Sequence, residues 1–273
     1  MKELIDHITA QLLACYPEDE ARSLAWWIIE ESTGLSRTQI QIGCKGTTNF
    51  SNLQEIIERL LHFEPIQYIF GHTLWAGLDL KLTPATLIPR PETAELVDKI
   101  SNLKSQISNC RVLDIGTGSG CIAIALKKRH PEWQISGIDI SAEAIAVAQE
   151  NATRNNVQID FRKGDIFSDG IEGIEPFTLV VSNPPYICES EKATMRPNVL
   201  NYEPASALFV PDDDPLRFYR RIASLRLGKY LFFEINEAYA AELSALLTQL
   251  GYTDIQITND IYGKPRIIEG RMA

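Results

Sequence analysis

The tetrapeptide Asn183-Pro184-Pro185-Tyr186 combines residue types that suit one kind of chemistry. An amide or exocyclic amine nitrogen is planar, its lone pair is delocalised, and it is a poor nucleophile. Acceptors placed on its two N–H groups favour a more tetrahedral nitrogen. The Asn183 side-chain oxygen and the Pro184 carbonyl are such acceptors. A rigid Pro-Pro backbone would hold them without reorganisation, as a preorganised dipole must be held. Tyr186 can lie flat against the planar group. The competing reading is a plain proline turn with a buried tyrosine.

A second constellation lies upstream. Val112-Leu113-Asp114-Ile115 runs into Gly116-Thr117-Gly118-Ser119-Gly120, and an apolar helical segment starting at Cys121 follows. Glycines let the backbone approach a ligand and take positive φ, and the helix N-terminus favours a negative group such as a carboxylate. Asp139 ends the next apolar strand, about 20 residues on, where doubly wound folds hold ribose hydroxyls. The dinucleotide fingerprint wants glycine where Cys121 stands, and the P-loop lysine is absent. Gly-x-Gly-x-Gly after a strand, with this acid, resembles the adenosylmethionine site of class I methyltransferases. The bland alternative is a tight strand-to-helix turn with no ligand. With a methyl sulfonium as electrophile, positioning is most of the task, and the nitrogen's proton can leave after transfer.

These residues need a framework. From about Pro91, apolar strands at 111–115, 135–139, 179–182 and 229–234 alternate with helical segments such as Ala142 to Asn155, which predicts a mostly parallel sheet covered on both faces. Two prolines directly after the third strand must leave the sheet. They leave it at the edge where open α/β sheets bind ligands. Residues 72–90 carry the alternating run Leu78 to Leu82 and then Pro84 and Pro89, and read as a short β-hairpin or linker. The first 71 residues read as a small helical bundle. One helix carries Leu4, Ile5, Ile8, Leu12 and Leu13, and ends at Pro17. A second runs from about Glu18 to Ser32 and stops at Gly34. A third starts near Ser51 with a capping box to Gln54. It buries Leu53, Ile56, Ile57, Leu60 and Leu61, and Pro65 closes it. The expected domains are 1–71, a 72–90 linker, and a catalytic domain over 91–273.

Bulk properties narrow the partners. The 273 residues carry a formal net charge of -10, which argues against a wide phosphate-binding surface. Five cysteines without a CxxC spacing and four scattered histidines predict neither a disulfide framework nor a metal site. Glu3 and Asp6 interrupt any signal-peptide core, and no apolar run approaches the ~20 residues a bilayer span requires. The expectation is a cytoplasmic monomer with no membrane or direct nucleic-acid partner.

More specific stretches carry a family resemblance. Pro65-Ile66-Gln67-Tyr68-Ile69-Phe70-Gly71, Leu87-Ile88-Pro89-Arg90-Pro91-Glu92-Thr93, Tyr202-Glu203-Pro204 with Ala207-Leu208, and Asp260 to Arg266, together with the two constellations, resemble the HemK family of protein glutamine methyltransferases. The resemblance runs from about residue 65 to the end. It implies a Rossmann-like, mostly parallel mixed sheet of class I methyltransferase type, behind a helical bundle that grips the substrate protein. It implies S-adenosyl-L-methionine as cofactor, S-adenosyl-L-homocysteine as product, and methyl transfer to N5 of the glutamine in the Gly-Gly-Gln motif of class I peptide chain release factors, tuning translation termination. It makes Asn183, Pro184, Pro185 and Tyr186 the substrate clamp. Gly116, Thr117, Gly118, Ser119, Gly120, Asp139, Ile140 and Asn183 become cofactor contacts, with Asp165 and Ile166 at the adenine. Ile166 stands where tryptophan or leucine is common, Ala94 where glutamate is usual, and Asn236 where glycine is usual. Arg90 and Glu92 leave two readings open: contact with the release factor, or an ion pair and a helix start. The loop and tetrapeptide are shared with DNA and RNA amino-methyltransferases acting on adenine N6 or cytosine N4, which the acidic charge and the small bundle disfavour. A non-catalytic scaffold would have no need to preserve both constellations.

Overall fold

In the computed structural model, which describes residues 1–46, 49–105, 110–168 and 176–273, helices α1 (Lys2–Leu12), α2 (Glu18–Thr33), α3 (Arg37–Gln41), α4 (Leu53–Leu61) and α5 (Ile66–Phe70) come first. The hairpin β1 (His72–Trp75) and β2 (Leu78–Lys81) follows, then α6 (Pro91–Ser101), β3 (Arg111–Ile115), α7 (Cys121–Arg129), β4 (Gln134–Asp139) and α8 (Ala142–Arg154). Next come β5 (Asp160–Lys163), β6 (Phe177–Ser182), β7 (Ile187–Cys188), α9 (Pro197–Leu200) and β8 (Phe209–Val210). The chain ends with α10 (Arg217–Ser224), β9 (Gly228–Glu234), α11 (Ala240–Gln249), β10 (Tyr252–Asn259) and β11 (Pro265–Met272).

The chain divides into two compact units, residues 1–71 with 196–202, and residues 72–195 with 203–273. In the first, Ile5, Ile8, Leu12, Ala25, Ile28, Ile29, Ile57 and Leu60 form the core. Leu13 stays half exposed, because it falls just past the end of α1. Residues 196–202, which the sequence places inside a contiguous catalytic domain, instead cluster with the bundle. There Arg196 pairs with Glu20 at 2.7 Å and the Tyr202 hydroxyl donates to the His62 carbonyl. Two helix-end expectations fail. The Ser51–Gln54 capping box does not form: the Ser51 hydroxyl turns to Asn49 and Asn52, and Gln54 reaches Glu58 instead. Nor does Pro65 close α4, which ends at Leu61; Pro65 opens α5, where its fixed φ and missing N–H suit a first turn. In this unit a capping box forms between Ser36 and Gln39 and starts α3, a helix not among those expected although its Ser-x-x-Gln spacing is written in the sequence.

In the second unit, seven strands lie in the order β10-β11-β9-β6-β3-β4-β5 among the described residues. β5, β4, β3, β6 and β9 are parallel. β11 and β10 close one edge antiparallel. The core lies on both faces of the sheet, one layer including α6 and α7 side chains, the other including α10 and α11. Strands buried on both faces read as continuous apolar runs, which is why they were legible. The β1–β2 hairpin is fixed by Asn151, whose buried amide brackets the Lys81 backbone and also donates to the Ser119 carbonyl at 2.9 Å. One side chain thus ties the hairpin to the glycine loop. Among the described residues no helix is long and apolar enough to cross a membrane, and all five cysteines are free.

Candidate active site

The parallel strands end together, and their following loops build one cavity. Parallel register sets Ile115 beside Ile138 on one side and Ser182 on the other. The glycine loop after β3, Asp139 at the end of β4 and Asn183 after β6 therefore emerge side by side. The cavity they line has a volume of about 520 Å³. Of the sequence-predicted residues, Gly116, Thr117, Gly118, Ser119, Asp139, Ile140, Asp165, Ile166, Asn183, Pro184 and Pro185 line it. Gly120 and Tyr186 do not.

Gly120 acts from behind. It takes φ +81° at the N-cap of α7, and a Cβ there would meet Ala148, Ile124 and Phe161 at 3.1–3.2 Å. Gly116 (φ +70°) and Gly118 (φ +54°) are different: a Cβ on either would meet almost nothing. Their bare backbone opens onto the cavity. The loop hangs from β4 through the Gly116 and Thr117 N–H groups, which both donate to the Ile138 carbonyl. Asp139 holds it from the other side. One carboxylate oxygen accepts from the Gly118 N–H at 2.9 Å and the other from the Ser141 N–H at 2.9 Å. Each oxygen keeps a lone pair for a further donor.

Below the loop, Asp114 is fully buried and accepts from the Thr117 hydroxyl at 2.7 Å. Burial pushes its carboxyl up to about 7; the Thr117 hydroxyl and the Ala123 N–H offset part of this, and the Asp139 charge adds to it. At the other end, Asp165 accepts from the Phe167 N–H. Ile166 is buried against the second core layer, and Arg217 stacks over the Phe167 and Phe218 rings. Phe167 lies in the stretch Asp165-Ile166-Phe167 that the resemblance places at the adenine, whereas Arg217 and Phe218 were not foreseen, since they come from α10.

The tetrapeptide splits in two. Asn183, Pro184 and Pro185 face the cavity, while the Tyr186 ring packs into the second core layer and its hydroxyl donates to Glu234 at 3.2 Å. Burial, then the Glu234 charge, raise the Tyr186 phenol well above its ordinary range. Asn183 Nδ2 reaches the Thr93 hydroxyl at 3.4 Å. The cavity is also walled by Ala85, Thr86, Leu87, Pro89, Arg90 and Thr93, and by Pro204, Ser206 and Ala207. Glu203 pins these walls together, accepting from the Ile88 N–H at 3.1 Å and pairing with Arg90 at 2.6 Å. Arg90 therefore forms an ion pair and stands at the N-cap of α6. Asn236, where glycine is usual in the resembling family, caps the turn after β9 and donates to the Tyr186 carbonyl. Among the described residues no group of three His, Cys, Asp or Glu side chains is arranged to hold a metal.

The geometry can hold an elongated, partly charged ligand across the strand ends, next to acceptors for a planar nitrogen. Comparison with known proteins agrees in kind. Residues 93–201 match the family model described as methyltransferase small domain, and residues 3–71 match the PrmC N-terminal domain. A release factor glutamine methyltransferase of Bacteroides thetaiotaomicron is 44% identical, over 98% of this chain and 99% of that one. One from Flavobacterium psychrophilum is 40% identical over 94% of each. Among solved structures, the catalytic domain of hMettl16 in complex with a MAT2A 3′UTR hairpin has TM-score 0.59 at 18% identity, covering 97% of this chain and 92% of that one. At that identity the likeness is one of fold.

Proposed function

Because this chain belongs to the release factor glutamine methyltransferases, we propose that it transfers a methyl group from S-adenosylmethionine to N5 of the glutamine in the Gly-Gly-Gln motif of class I release factors. The observation that carries the reading is the single cavity lined both by the glycine loop with Asp139 and by Asn183, Pro184 and Pro185.

The residues present fit the cofactor. Gly116 and Gly118 leave open space where side chains would stand. The Asp139 carboxylate is already oriented by two backbone N–H groups and has capacity for a ribose diol. Ile166 and Phe167 offer apolar surface at the far end. In this reading the N-terminus of α7 holds the carboxylate end of the ligand, and Asp165 with Ile166 holds the adenine. The cofactor supplies a methyl group already activated as a sulfonium. The chain's task is then orientation. Asn183 Oδ1 and the Pro184 carbonyl accept from the two N–H groups of the substrate amide and draw its nitrogen toward tetrahedral geometry. The surplus proton departs afterwards, so no general base is required. The first unit, with residues 196–202, grips the release factor away from the reacting glutamine.

The test is transfer of labelled methyl to three acceptors: a release factor, the same factor with the Gly-Gly-Gln glutamine changed to alanine, and duplex DNA. Label on the first alone is expected. Asn183→Ala should lower kcat by about 10²–10³-fold, the range for losing one preorganised polar group. Its affinity for S-adenosylhomocysteine should stay within about threefold. Asp139→Ala should weaken that affinity by roughly 10–100-fold. Label on DNA would instead support the nucleic-acid reading, which the charge of -10 disfavours.

A further inference from the structure

The β6–β9 register sets Ser182 opposite Phe233, so Asn183, just past the end of β6, and Glu234, the last residue of β9, come close together. Side chains alternate along β9. Phe232 points into the layer that holds Leu96 and Val97 of α6, and Glu234 shares its face. Glu234 is 1% exposed. A buried carboxylate is costly without partners, and both of its oxygens are used. Oε2 accepts from the Thr93 hydroxyl at 2.7 Å, and Oε1 accepts from the Tyr186 hydroxyl at 3.2 Å. Thr93 in turn stands 3.4 Å from Asn183 Nδ2.

Resting on the methyl-transfer reading above, we infer that Glu234 and Thr93 are positioning residues that fix which way the Asn183 amide faces. A hydroxyl has one proton. Thr93 commits its proton to Glu234, so it offers only lone pairs to Asn183. The partner of those lone pairs must be the Nδ2 end of the amide. Oδ1 is thereby turned toward the cavity, where an acceptor for a substrate N–H is needed. An amide has two ends of nearly equal shape, and packing alone does not select between them. The reversed rotamer would present N–H groups to a substrate N–H and would fail as a clamp. The same carboxylate anchors the other end of the tetrapeptide through Tyr186. One buried acid thus sets both ends of Asn183-Pro184-Pro185-Tyr186 without touching the substrate.

Three variants separate this role from a merely structural one. Glu234→Gln keeps the shape but offers one acceptor where two are used. Thr93→Val removes the hydroxyl, and Thr93→Ser keeps it. The full-length protein, labelled with ¹⁵N at asparagine side chains, gives an Asn183 amide signal identified by its loss in Asn183→Asp. In Glu234→Gln and Thr93→Val this signal should shift and exchange faster with solvent, and kcat should fall by about 10²-fold. Binding of S-adenosylhomocysteine and the KM for release factor should stay within about threefold. Thr93→Ser should restore both the signal and most of kcat. An Asn183 signal unmoved in both disruptive variants would overturn the inference. So would a kcat loss that Thr93→Ser shares with Thr93→Val, or one matched by lost S-adenosylhomocysteine affinity. The amide signal reports on the inference whether or not the wild-type protein methylates a release factor; absence of that activity would overturn the functional reading instead.

Discussion

At the scale of single residues, burial decides more than residue type. Asp114 sits in the sequence as one polar letter in an apolar strand. In the fold it is fully buried and its carboxyl is held up near 7, mainly by desolvation. A raised folded-state value means that the folded chain binds this proton more tightly than the unfolded chain, whose carboxyl titrates near 3.8. The associated stability is therefore full below about pH 4, falls as pH rises, and levels off above about 7. Over that window the loss is roughly 4 kcal/mol. Asp114→Asn should remove this slope, so unfolding free energies of the two proteins, measured by denaturant from pH 4 to 8, should diverge in the variant's favour with rising pH. Parallel curves would show that Asp114 stays ionised in the fold. Tyr186 teaches the same lesson. Its place after Pro185 suggests a ring lying against the substrate, yet its ring packs, partly buried, against the second core layer and its hydroxyl serves Glu234. Thr93 and Glu234 were not legible as a pair, because 141 positions separate them.

At the scale of elements, the glycine loop contains two kinds of glycine that look alike in sequence. Gly116 and Gly118 are open, whereas Gly120 is packed against Ala148, Ile124 and Phe161. Gly120→Ala should cost about 2–4 kcal/mol, combining a strained positive φ with overpacking. Gly116→Ala should cost only about 1–2 kcal/mol of strain while weakening S-adenosylhomocysteine binding. Denaturant midpoints and calorimetry on both variants check this; equal stability losses would contradict it. Helix ends were less legible than strands. Ser51 and Gln54 have capping-box spacing, but Asn49 and Asn52 compete for the Ser51 hydroxyl. Local hydrogen-bonding choices of that kind leave no periodic signal. The apolar strands do leave one, because each must fill a layer on both sides.

At the scale of the whole molecule, two units with separate cores make two-step unfolding the expectation. S-adenosylhomocysteine at a hundred times its Kd should raise the stability of the second unit by about 2.7 kcal/mol and leave the bundle's transition in place. Ile57→Ala, in the bundle core, should do the reverse. A single transition moved by both would show that the units unfold as one. The sequence by itself determined the sheet-and-helix alternation, the helical N-terminus, the glycine loop, Asp139 and the Asn-Pro-Pro edge. Those features are local: apolar periodicity and backbone-demanding residues are written in consecutive positions. Only the tertiary structure decided that residues 196–202 join the bundle, that Glu203 pins the cavity walls, and that Glu234 governs the tetrapeptide. Each of those depends on strand register or on burial, which bring distant side chains together and which no stretch of sequence displays.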